Sequence, residues 1–138
     1  MTVDRSAIVP GYRLPEFVRV TGFDNWNRYA AVNSEFVPIH MDDTAGQAAG
    51  YSGAIGMGNL VIAWFHAMFR AWHGGEGKLV NFNGQFRSPQ LKGDTVTISA
   101  VVSSVSEHDG KTRVEFELDA QNQRGEKMMP GKAIIDLA

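Results

Sequence analysis

Two side chains capable of acid–base work stand near each other in Ser34-Glu35-Phe36-Val37-Pro38-Ile39-His40-Met41-Asp42-Asp43. Glu35 offers a carboxylate and His40 an imidazole; Phe36, Val37, Pro38 and Ile39 lie between them. Histidine has an unperturbed pKa of about 6.5, so it can give or take a proton near neutral pH. A carboxylate facing the same space can hold a water or carry the other half of the transfer. Proline disfavours helix for the residue before it, which predicts an extended run from Glu35 to His40. In that run the apolar residues keep the loop dry while both polar groups face one pocket. A loop of this kind can equally carry a histidine that only satisfies its own hydrogen bonds. His40 with Asp42 and Asp43 also invites a metal reading, but no third ligand is evident and the aspartates suit a helix cap, so no metal is expected.

The wider composition narrows the classes of function. At 138 residues the chain is most simply one domain, 1–138, long enough to bury a core. Hydrophobic residues make up 43% and charged residues 20%, which excludes disorder. A formal net charge of -2 leaves no basic field for nucleic acid or an anionic membrane. With no cysteine there is no disulfide framework, thiol nucleophile or thiolate zinc site. The N-terminal MTVDRSAIVPGYRLPEF is broken by Asp4, Arg5 and Arg13, so no secretory signal is expected, and the cytoplasm is the expected location. From Thr44 to Phe69 there is no Asp, Glu, Lys or Arg, and roughly 20 apolar residues can cross a bilayer. Gly, Gln, Ser and Asn in the first half of that stretch, and His66 in the second, point to a buried helix instead.

The positioning elements follow from periodicity. Residues 1–16 read as an irregular lead-in, and Phe17 to Thr21 alternates like a short edge strand. Asp24 stands where an N-cap would stand before a short helix through Val32, and Asp42 or Asp43 would cap a second one through Ala49. Gly58 to His73 is apolar nearly all round and ends at Gly74, which predicts a helix that must be covered on every side. Met57, Met68, Met128 and Met129 read as core fillers, and His66 and His73 as structural, His73 suiting the negative end of the helix as a cation. Strands are predicted over Lys78 to Arg87, Asp94 to Glu107, Thr112 to Ala120 and Met128 to Leu137, as an antiparallel meander beside the early edge strand. The class is α+β, and several helix-on-sheet packings satisfy the pattern.

Particular residues choose among them. Glu35-Phe36-Val37-Pro38-Ile39-His40-Met41-Asp42, with Ala54-Ile55-Gly56-Met57-Gly58-Asn59-Leu60, resembles the paired motifs of the MaoC-like hydratase/dehydratase family. Those motifs read Asp-x-Asn-Pro-hydrophobic-His-x-Asp and hydrophobic-x-His-Gly-Met. Phe86-Arg87-Ser88-Pro89-Gln90-Leu91-Lys92-Gly93-Asp94 is also similar to that family's Arg-x-Pro-x-x-x-Gly-Asp turn. The resemblance implies a single hot-dog domain, a curved antiparallel sheet wrapped around one long central helix over 58–73. It implies (R)-specific enoyl-thioester hydration or 3-hydroxyacyl-thioester dehydration. Glu35 and His40 would be the catalytic pair, and the backbone N–H of Gly58 would polarise the thioester carbonyl. Val37, Met57, Asn59 and Tyr51 would contact substrate. No cofactor is implied beyond the coenzyme A or acyl carrier protein that bears the acyl group.

The sequence departs from that pattern at four places. Glu35 replaces Asp, Val37 replaces Asn, Met57 replaces His and Asn59 replaces Met. A misplacement of about an ångström can cost about 10²-fold in rate. A catalytically impaired subunit of a heteromeric dehydratase is therefore an alternative, and a hot-dog thioesterase a more remote one. Because a lone hot dog leaves one sheet face uncovered, a homodimer, or a heterodimer with another hot-dog subunit, is expected.

Overall fold

The computed structural model describes residues 3–138. Its axis is helix α4, Gly58–His73, where the apolar run predicts it. The helix stops at Gly74, whose φ of 56° is left-handed and whose N–H donates to the Arg70 carbonyl at 2.9 Å. Glycine adopts that conformation without the penalty a Cβ would bring. Leu60, Val61, Trp64, Phe65, Met68 and Phe69 are buried, the spacing of a single helical face. Asn59, His66, Ala67, Arg70 and Ala71 are exposed along the other face, so the expectation of cover on every side fails. One curved sheet can enclose only the face turned toward it.

That sheet has five antiparallel strands: β1 Phe17–Val20, β2 Gly77–Gly84, β3 Thr95–His108, β4 Lys111–Gln121 and β5 Gly131–Leu137. Their order is β1-β3-β4-β5-β2. Strand residues alternate faces. Val96, Ile98, Ala100 and Val102 of β3 point inward with Val114, Phe116, Leu118 and Ala120 of β4 and Ala133, Ile135 and Leu137 of β5. Phe69 of α4 meets Phe116 with ring centroids 5.4 Å apart, and Phe65 meets Phe82 of β2 at 5.6 Å. Among the described residues no helix is long and apolar enough to cross a membrane.

The predicted meander is corrected in one respect. β3, β4 and β5 follow one another, but β2 lies beyond β5, with Lys78 opposite Asp136. β3 has no edge left for it. One side carries β4, and the other carries β1 and then the N-terminal segment, where Leu14 N–H donates to Ala100 O at 3.0 Å and Gly11 N–H to Val102 O at 2.8 Å. The lead-in expected to be irregular thus extends the edge of the sheet. The connection from β2 to β3 must then pass across the fold, and its residues meet the start of α4 through a bridge between Ile55 and Leu91.

Helix α1, Phe23–Asn33, is capped differently from the prediction. Gly22 is its N-cap, with its N–H donating to Asn25 Oδ1 at 3.2 Å, and Asp24 sits inside the first turn. A carboxylate there still faces the positive end of the helix. β5 begins three residues later than predicted, because Met128 and Met129 turn their N–H groups to the Ala120 carbonyl and Pro130 has none to give.

A buried carboxylate locks the β2–β3 connection to the sheet. Asp94 accepts from Arg124 Nη1 and Gln123 Nε2, both at 2.9 Å, and from the Leu91 N–H at 3.1 Å. Burial alone pushes the Asp94 carboxyl up, but these donors outweigh it and hold the group below the ordinary carboxylate range. A carboxylate depressed on folding adds stability above its unfolded pKa of about 3.9 and loses it as pH falls through the folded value. Asp94→Asn is therefore expected to lower unfolding free energy by about 1–3 kcal/mol at pH 7. The same variant should flatten the acid-side loss of stability below about pH 4, which urea titrations across pH will show.

Candidate active site

The carboxylate arrives from the end of α1. Ser34 takes a left-handed conformation, φ 55°, and both Ser34 and Glu35 turn their N–H groups to the Ala30 carbonyl, Glu35 at 3.1 Å. For a residue with a Cβ that conformation costs about 1–2 kcal/mol, and it turns the chain out of the helix so that half-buried Glu35 leaves α1 sharply. Val37 is extended, φ -80° and ψ 131°, as the following proline demands.

Beyond Val37 the extended reading fails. Pro38 opens a single turn of helix, α2 Pro38–Met41, and His40 lies within it. Proline suits the first helical position, since its fixed φ is already helical and its missing N–H would have had no partner there. Phe36 and Val37 do not dry the loop either; they stand 63% and 43% exposed.

His40 is buried, and its Nδ1 lies 2.8 Å from the carbonyl oxygen of Ile55. A carbonyl can only accept, so Nδ1 carries a proton, and in the neutral ring the lone pair sits on Nε2. Ile55 answers by donating its own N–H to the Ile39 carbonyl at 2.9 Å. Neither aspartate that follows is free for a metal. Asp42 caps helix α3, Asp43–Ala48, by accepting from the Thr44 N–H at 3.0 Å. Asp43 accepts from Lys92 Nζ at 2.6 Å and from the Ala54 N–H at 2.9 Å, and these two bonds, Lys92 first, hold its carboxyl below the ordinary range.

A cavity of about 440 Å³ unites these pieces. Of the residues singled out in the sequence, Glu35, His40, Tyr51, Gly58 and Asn59 line it. Gly58 is the first residue of α4, where a helix has N–H groups without intrahelical acceptors and a partial positive charge. A Cβ on Gly58 would lie 2.6 Å from the Phe86 ring, so glycine lets that ring close over the helix end. Val37 and Met57 do not reach the cavity. Met57, on extended backbone just before α4, is wholly buried in the core.

Sequence reasoning missed Phe86, Arg87 and Gln90, which complete the lining from the β2–β3 connection. The turn motif marked that stretch, but nothing in it revealed which side chains would face inward. Tyr29 does not line the cavity; burial first and the Glu35 charge second push its phenol pKa up. His73 proves neutral and not a cation for the helix dipole: Nδ1 accepts from the N–H groups of Gly75 at 3.1 Å and Gly77 at 3.3 Å, and burial above all holds its pKa down.

With the geometry in place, the comparisons are specific. Residues 12–123 match the family described as MaoC-like domain. No curated protein sequence matches the chain. Among solved structures, the (R)-hydratase from A. caviae involved in PHA biosynthesis superposes with a TM-score of 0.85 at 19% identity, covering 96% of this chain and 98% of its own. R-hydratase PhaJ1 from Pseudomonas aeruginosa gives 0.86 at 20% identity, over 96% and 83%. The ChsH1-ChsH2 complex from Mycobacterium tuberculosis gives 0.85 at 18%, over 95% and 99%. Identities this low establish a shared hot-dog fold and nothing finer.

The tautomer is directly testable. Long-range ¹H–¹⁵N spectra at neutral pH should place the His40 ring proton on Nδ1. A proton on Nε2 would leave no basic nitrogen for the cavity and remove His40 as a base.

Proposed function

Since the chain belongs to the MaoC-like domain family, we propose that it hydrates enoyl thioesters, or dehydrates 3-hydroxyacyl thioesters, carried by coenzyme A or acyl carrier protein. The observation that carries this reading is His40: its Nδ1 proton is committed to the Ile55 carbonyl while the ring lines a cavity shared with Glu35 and the first residue of α4. Hydration needs a base for water, a place for negative charge on the thioester oxygen, and a proton for C2.

In the proposed hydration the substrate carbonyl accepts from the Gly58 N–H, and Glu35 orients a water beside C3. His40 Nε2 takes one proton as the water oxygen bonds to C3. The electrons of the double bond move onto the thioester oxygen as an enolate, which the helix end stabilises more strongly than the neutral carbonyl. The imidazolium then returns its proton to C2, directly or through Glu35, so atoms and charge balance. Dehydration is the reverse. Asn59 and Tyr51 line the space left for the acyl group.

A second reading has its own observation. Among the described residues β2 is a sheet edge with no second strand beside it, and His66, Ala67 and Arg70 of α4 are exposed nearby. Phe36, Val37 and Phe86 are exposed on the same chain as the cavity. These surfaces fit a second hot-dog subunit, identical or not, with the substrate tunnel between the two. One structural neighbour is itself a complex of two named chains. If the partner is a different chain, this subunit can shape a tunnel whose chemistry is done elsewhere.

Purified protein should consume crotonyl-CoA with loss of enoyl absorbance and without release of free thiol, which separates hydration from thioester hydrolysis. His40→Ala and Glu35→Gln should each lower kcat by about 10²–10⁴-fold. No turnover alone, with turnover restored by a co-expressed hot-dog partner, would instead support the heteromeric subunit. Sedimentation at micromolar concentration should give a dimer; a monomer would remove the intersubunit tunnel.

A further inference from the structure

We infer that Gln90 is a positioning residue for the reaction proposed above, setting the distance between the His40 base and the Gly58 amide. The inference rests on that reading and concerns a side chain it does not use. Gln90 is 2% exposed, yet every polar atom that matters is matched. Its Oε1 accepts from Trp26 Nε1 at 3.1 Å, and its Nε2 donates to the Met57 carbonyl at 2.8 Å. Its own backbone carbonyl accepts from the Gly56 N–H at 2.9 Å. One residue thus grips both sides of the Gly56–Met57 link.

That link joins the two functional ends of the cavity. On one side is Ile55, whose carbonyl fixes the His40 tautomer; on the other is Gly58, the proposed oxyanion donor. Gly56 permits the grip, because a Cβ there would fall 2.4 Å from Gln90 Oε1 and 2.5 Å from Trp26 Nε1. Trp26 is wholly buried in α1, the same helix that delivers Glu35 at its far end. The chain Trp26–Gln90–Met57 therefore ties the carboxylate's helix, the β2–β3 connection and the start of α4 into one frame. An amide is the side chain for this task, since it must accept from an indole and donate to a carbonyl at once. A leucine of similar bulk can do neither, and would leave both partners buried and unpaired.

The test separates positioning from folding. Gln90→Leu and Trp26→Phe, which removes the indole donor together with part of the buried ring, are compared with the parent chain for thermal unfolding, crotonyl-CoA kinetics and amide hydrogen exchange. In the folded protein Gln90→Leu should lower kcat about 10–100-fold, with KM changed no more than about twofold. Trp26→Phe should act in the same direction and less. Exchange at the Gly56 amide, which donates to the Gln90 carbonyl, should quicken in both. A kcat unchanged in folded protein, or a loss that only follows the unfolded fraction, would overturn the inference.

Gln90→Glu adds a readout that a packing role would not move. Its neutral carboxyl can make both hydrogen bonds, whereas the ionised form cannot donate to Met57. The ratio of its kcat to that of the parent should therefore fall as pH rises; a flat ratio overturns the proposal. If the parent chain turns over no thioester at all, the hydratase reading fails on its own. Positioning is then decided by exchange alone, and an unchanged Gly56 amide in Gln90→Leu would reject it.

Discussion

The hydrogen bond between His40 Nδ1 and the Ile55 carbonyl connects two requirements that would otherwise be independent. An imidazole has one basic nitrogen at a time, and the carbonyl decides which. It also pins α2 to the strand-like residues that lead into α4, since Ile55 returns a bond to Ile39. The base and the helix N-terminus are therefore parts of one hydrogen-bonded unit. Disturbing the backbone at Ile55 would change both the tautomer and the separation of the His40 ring from the start of α4.

Helix α4 makes that unit rigid from below. Its buried face is anchored by aromatic contacts to β2 and β4, so its N-terminus is held where the sheet places it. The two ends of the helix are handled oppositely. At the C-terminus Gly74 and the His73 ring close off the backbone locally, while at the N-terminus Gly58 opens onto the cavity. A helix start with unfilled donors is costly where water is excluded, unless something accepts from them. Facing the donors into a cavity leaves them open to an acceptor there.

The sequence and the fold correspond where local chemistry governs. The α4 boundaries, the alternating strands and the Glu35, His40 and Gly58 cluster were all legible, because periodicity, a terminating glycine and a recognisable motif are local signals. What stayed hidden was non-local. Whether β2 borders β3 or β5 depends on which sheet edges the N-terminal segment has already filled. The role of Gln90 depends on a tryptophan far away in sequence. The single turn at Pro38 was hidden for another reason: the same proline that extends Val37 also favours starting a helix, and only the packing of His40 against Ile55 favours the second outcome.

The departures from the family motif weigh differently once each side chain has a place. Val37 stands where the pattern has an asparagine, but its side chain does not line the cavity, so nothing polar is subtracted from the lining at that position. Met57 replaces a histidine and points into the core, where a methionine fits and an imidazole would need a partner. Asn59 runs the other way: it replaces an apolar residue and does line the cavity, adding a donor and an acceptor in the first turn of α4. Polar capacity is thus added to the site at the helix end. Glu35 keeps a carboxylate at its position in the pattern, and its longer arm starts from a backbone position fixed by the Ala30 carbonyl. Glu35 and Asn59 thus line one cavity from two elements, the carboxylate from the end of α1 and the amide from the first turn of α4.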